Sequence, residues 1–159
     1  DIHDMILWLN NFKELLPDEI DNIFAENKTS GGIKAKELFN ITLEAFKYKI
    51  TSKDEFALLA ETYLSSYKDA KVKHYEFLQA IFFRQFLQIY IGKLNIENIN
   101  IINLEKEIEA LPNEISKGLI LITITEEYKR IHSAKYKSWN EKLTAYILKS
   151  KSNFTADNF

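Results

Sequence analysis

Cysteine is absent from the 159 residues, which excludes disulfides and thiolate chemistry and fits a cytoplasmic protein. Only 2 prolines and 4 glycines occur. Sandwiches and α/β folds need many such residues for their turns, so their scarcity points to an all-α chain. No apolar run reaches about 18 residues, so neither a transmembrane helix nor a membrane partner is expected. The net charge of -2 implies no general affinity for nucleic acid. Histidine occurs only as His3, His74 and His132, with no H-E-x-x-H, no Glu-x-x-His and no carboxylate cluster beside it. No metal and no cofactor are therefore expected. G-x-G-x-x-G, G-x-x-x-x-G-K-S/T and G-x-S-x-G are also missing, and no Ser, Lys or Tyr has a readable activating neighbour. The expectation is a protein without catalytic residues, not an enzyme.

What is present is aromatic. Phe occurs 11 times, Tyr 8 times and Trp twice, enough for one aromatic-rich core. A single domain is expected over residues 1–151. Residues 152–159 lack periodicity and read as a tail or the start of a linker. Charge is unevenly placed. Residues 1–26 carry seven acids against Lys13, and residues 128–151 carry seven bases against Glu141. Two solvated helix faces are the simplest reading, and attraction within the domain or across a dimer is the other.

Helical periodicity recurs along the chain. Ile2, Met5, Ile6, Leu9, Phe12, Leu15 and Leu16 mark a first amphipathic helix, stopped at Pro17. Pro17 opens a second, to about Asn27, that buries Ile20, Ile23 and Phe24. Asn27 to Gly32 reads as a loop. A third helix over Ile33 to Ile50 carries Leu38, Ile41, Thr42, Ala45, Phe46 and Lys49 down one side. Ser52 with Glu55 three residues on predicts a capping box. The helix behind it runs to about Ala70 and buries Phe56, Leu59, Ala60, Tyr63 and Tyr67. Val72 to Leu94 is apolar around nearly its whole circumference, which predicts a central helix. Asn95 to Leu104 reads as a loop or as the frayed start of a short helix over Ile101 to Leu111. Leu119 to Thr125 is rich in strand-favouring residues, yet its flanks and its lack of turn residues predict helix.

After Pro112 the chain runs from Asn113 to Lys151 without proline and with one glycine, Gly118. One helix over that span would be roughly 58 Å long at about 1.5 Å per residue. It would project beyond a small body and lead to a partner or an output domain. Its apolar stripe of Ile120, Ile124, Ile131, Ala134, Trp139, Leu143 and Tyr146 would be left exposed. Ile131, Trp139, Leu143 and Tyr146 are therefore expected at a homodimer contact.

Few residues suggest chemistry. Tyr75, Phe82, Phe86 and Tyr90 read first as core and second as the lining of a small-molecule pocket. His74 is the one candidate for a buried ligand, for example to haem, although a histidine at a helix end more often has a structural role. His132, between Tyr128 and Tyr136, reads as a surface or interface residue. Glu126-Glu127 and Glu105/Glu107/Glu109 read as solvated helix faces.

Three stretches resemble the N-terminal domain of RsbR-type stressosome proteins. They are Trp8 followed by Phe12-Lys13-Glu14-Leu15, then Phe77 to Phe86 (FLQAIFFRQF), and Ile124 to Tyr128 with Tyr136 to Leu143 (YKSWNEKL). The resemblance implies a globin-like helical bundle, usually without haem and paired as a dimer. Its long last helix would lead to an output domain or to other stressosome-like proteins. Haem-bearing relatives carry a histidine where this chain has Lys68 or its neighbours, with His74 about six residues further on, which argues against haem. The expectation is a cytoplasmic sensory or scaffold domain in stress signalling, signalling through its C-terminal helix. A haem or small-ligand sensor is the second reading. A freestanding helical interaction protein of the immunity type, using its acidic N-terminal face, is the third.

Overall fold

The computed structural model describes residues 1–13 and 30–151, with side chains for 1–12 and 35–151. Among these residues the chain is all-α, a bundle of seven α-helices with one π-helical turn and no strand. The helices are α1 (Ile2–Lys13), α2 (Ser30–Lys49), α3 (Lys53–Val72), α4 (Glu76–Leu87), α5 (Leu104–Glu109), α6 (Glu114–Arg130) and α7 (Lys135–Ser150). The π turn, Gln88–Lys93, continues α4 directly. No helix among the described residues is long and apolar enough to cross a membrane. The expected second helix over 17–27 lies outside the described residues. Ser30, Gly31 and Gly32, expected in a loop, open α2 instead.

Side-chain capping sets several helix starts. Ser52 Oγ accepts from the Glu55 amide at 3.2 Å. Asn103 and Asn113 accept from the amides of Lys106 (3.1 Å) and Ser116 (2.8 Å) in the same way. Leu119 to Thr125 is helical as expected. Thr123 and Thr125 each donate a hydroxyl 2.8 Å to the carbonyl four residues back, so branched side chains sit in the helix with their polar atoms bonded.

α4 is central, packed against α3 and α6, with Phe82, Phe83, Phe86 and Leu87 fully enclosed. Each such side chain contributes about 1.5–3 kcal/mol through burial. An aromatic ladder runs inward from α1. Trp8 meets Phe39 at 5.8 Å and Phe46 at 5.4 Å, and Phe39 meets Phe82 edge-on at 5.7 Å. On α3 every residue expected inside, from Phe56 to Tyr67, is buried.

Three further expectations fail. The buried stripe of α2 is Phe39, Leu43 and Lys47, continued by Ile50 just past its end, while Leu38 is 66% and Ile41 62% exposed. Two stripes one residue apart fit the same period, and the one holding Phe39 wins because its ring packs on Trp8 and Phe82. The apolar helix does not begin at Val72, since the chain turns at Lys73–Tyr75 before α4.

The largest correction concerns the C-terminal span. It is not one projecting helix but an α6–α7 hairpin whose arms pack together. α6 ends because His132 adopts φ 56°, with Ser133 N–H donating to Tyr128 O at 3.0 Å and His132 N–H to Lys129 O at 3.1 Å. This is a Schellman-type stop, usually made by glycine. Histidine is among the few side chains that tolerate the left-handed region. His74 (φ 60°) ends α3 by the same pattern, with Tyr75 N–H on Ala70 O at 3.0 Å.

Candidate functional site

Helical spacing gathers polar groups from three helices into one cleft. Asn40, Glu44 and Lys47 lie on one face of α2. Arg84 lies on the last turn of α4, and Gln88, Gly92 and Lys93 belong to the π turn that continues it. Glu127 and Arg130 follow from α6. Together they line a cleft of about 340 Å³, with exposed Tyr48 at its edge. The π turn closes through Leu94 N–H to Ile89 O at 2.9 Å, a bond of the wide i to i+5 kind often found at functional sites.

Lys47 organises the inner wall. Its Nζ lies 3.0 Å from Glu44 Oε2 and 3.4 Å from Gln85 Oε1, and also donates to Gln88 Oε1. Gln85, fully buried, donates its amide to Glu44 Oε1 at 2.8 Å, while Arg84 stands 3.8 Å from the same oxygen. Burial pushes the Lys47 ammonium below its usual range, against the pull of Glu44. Burial would raise Glu44, but the hydrogen bonds from Lys47 and Gln85 outweigh it and hold that carboxylate low.

Glu127 faces them from α6 and is only 3% exposed. Its Oε1 pairs with Arg130 at 3.1 Å, whereas its Oε2 is buried without a hydrogen-bond partner. Burial pushes its pKa above the usual carboxylate value, more than Arg130 and Lys47 lower it. Gly92 makes this position possible, because a Cβ there would lie 2.8 Å from Glu127 Oε2. Asn40 Oδ1, at the same cleft, is a second buried acceptor without a partner. Each unmet acceptor costs about 1–3 kcal/mol, so the cleft is built at the expense of stability. Its lining has four cations, Lys47, Arg84, Lys93 and Arg130, against two carboxylates, on a chain of net charge -2.

None of these residues stands out in the sequence as a site. Glu127, expected on a solvated face, is buried; its neighbour Glu126 is exposed. The available signals were Gln85 inside the apolar run Phe82–Leu87 and Lys47 eight residues after Phe39.

The residues expected to act together are dispersed. Phe82 and Phe86 belong to the core, and Phe86 stacks on Tyr90 at 4.9 Å. Tyr75 and Phe82 border a different, narrow crevice with Phe12 and Leu78, in which neither Phe86 nor Tyr90 takes part. His74 is exposed in the α3–α4 turn and His132 in the α6–α7 turn, both positioned by helix termination. Among the described residues no group of three His, Cys, Asp or Glu is placed to hold a metal.

Of the stripe expected at a dimer contact, Trp139 is covered within the chain, while Ile131, Leu143 and Tyr146 are half-buried. Trp139 is 8% exposed, beside Ile102, Leu104 and Tyr128. Lys142 covers its ring at 4.5 Å and pairs with Glu105 of α5 at 2.5 Å. Ile131 and Leu143 pack against the core, and Tyr146 OH lies 2.8 Å from the Glu114 carboxylate. Most of the acidic N-terminal stretch falls within 14–29, outside the described residues. No family model, curated protein or solved structure matches the chain.

Proposed function

We propose that the chain is a non-enzymatic sensory domain that takes its input at the polar cleft between α2, α4 and α6. The observation that carries this reading is the half-satisfied ionic network around Lys47, Gln85 and Glu127. Such a network favours binding over stability, because an apolar core of equal volume would be no less stable. The resemblance to the N-terminal domain of RsbR-type stressosome proteins supports it. With that resemblance come a globin-like plan, a cytoplasmic setting, a homodimer, and stressosome-type partners or a downstream output domain. The homodimer would use a face other than Trp139, which the hairpin occupies.

The output follows a different course from that of a projecting helix. Glu127 lies on the last turn of α6, the turn at His132 follows, and α7 packs back along α6. A movement at the cleft therefore reaches the last helix through the hairpin. Hydrogen exchange on Glu127→Gln tests this. Exchange over Lys135–Ser150 should change about twofold or more relative to α3, although no α7 residue is altered. Equal changes in α3 and α7 would mean only a shift in global stability and would refute the relay, as would no change at all.

A further inference from the structure

We infer that the cleft binds a small organic anion, a carboxylate or phosphate, that also carries a hydroxyl or amino donor. The inference rests on the sensory reading and names its ligand class. Charge comes first. Four cations line the cleft, and Glu44 and Glu127 neutralise only part of them. Lys47 is bound up in the inner wall, and Arg130 pairs with Glu127. Arg84 reaches Glu44 only at 3.8 Å, and Lys93 stands over the Phe56 ring at 5.9 Å rather than at a carboxylate. Arg84 and Lys93 are thus positioned to receive an anion at the mouth of the cleft.

The second requirement comes from the acceptors. Asn40 Oδ1 and Glu127 Oε2 are buried without donors. An anion with no hydrogen to give leaves both unmet, whereas a hydroxyl or amino group satisfies Asn40. The space, about 340 Å³, suits a metabolite-sized molecule and excludes a peptide or polynucleotide. Tyr48, exposed at the rim, offers a ring to cover the occupant.

The test uses the whole chain, isotope-labelled for NMR, with malate, succinate and putrescine as probes. Malate is an anion with a hydroxyl, succinate lacks the hydroxyl, and putrescine is a dication. Malate should shift resonances of Asn40, Gln88 and Gly92 and bind about tenfold more tightly than succinate. Arg84→Gln should weaken malate about tenfold or more. Lys93→Gln, at an exposed position, should weaken it in the same direction and serves if Arg84→Gln does not fold. Equal binding of malate and succinate would overturn the donor requirement. Putrescine in the cleft without malate would overturn the anion and leave the sensory reading standing. Silence from all three overturns the ligand class. The relay fails separately, if Glu127→Gln leaves α7 exchange unchanged.

Discussion

Trp139→Ala separates the hairpin from the projecting helix. A buried tryptophan covers about 150–250 Å². At about 25 cal/mol per Å² that is worth about 4–6 kcal/mol, an upper figure because the unfolded chain already hides part of the ring. At 8% exposure Trp139 has nearly its full burial to lose, and Lys142 loses the ring it covers. Tryptophan-to-alanine changes in cores cost about 3–5 kcal/mol, and about 3 kcal/mol is expected here. For a chain of 159 residues that lowers the melting temperature by roughly 6–12 °C. Urea unfolding followed by circular dichroism gives the loss, and light scattering on the same samples gives the mass. The variant should unfold at lower urea with the oligomeric state unchanged. An unchanged midpoint with a halved mass would refute the reasoning and place Trp139 between two chains.

Two further outcomes follow from Glu127. Gly92→Ala should not give the usual helix gain of about 1 kcal/mol, because the new Cβ meets the buried carboxylate at 2.8 Å. In a Glu127→Ala background the same change should turn stabilising, and a double-mutant cycle in urea showing no coupling would disprove the contact. The second outcome concerns pH. Glu127 holds its proton more tightly when folded, so between its ordinary value near 4.5 and its raised folded value the native state binds more protons. Its contribution to stability is therefore full at low pH and declines as pH rises through that window. Glu127→Gln should flatten this decline, and an unchanged stability slope above about pH 4.5 would show that the carboxyl is not held raised.

Much of the helical layout was legible because it depends on local chemistry. Ser52 with Glu55, the Phe56–Tyr67 face, and the scarcity of Gly and Pro each act within a few residues. The end of α6 was not legible, because its stop is made by His132 rather than by glycine or proline. Without that turn the Trp139 stripe has no α6 to face and reads as a homodimer contact. On α2 the period alone could not choose between Leu38 and Phe39, since the choice depends on Trp8 and Phe82, distant in sequence. The cleft was hidden for a related reason. Lys47, Gln85 and Glu127 look like ordinary surface residues until three helices are brought together, and no short motif records that meeting.

The π turn lets the cleft tolerate a change in chain length. Its six residues, Gln88–Lys93, are wound more widely than an α-helix, one residue in excess of the regular register. Removing any one of them would let the stretch close as ordinary α-helix, with every hydrogen bond still available. Side chains beyond the turn would keep nearly their direction, because five steps of the wide turn sweep about the same angle as four α-helical steps of about 100° each. Gly92 itself is the exception: were it the residue removed, Ile91 would take its place against the buried Glu127 carboxylate. The number of residues in this turn thus matters less than the glycine within it.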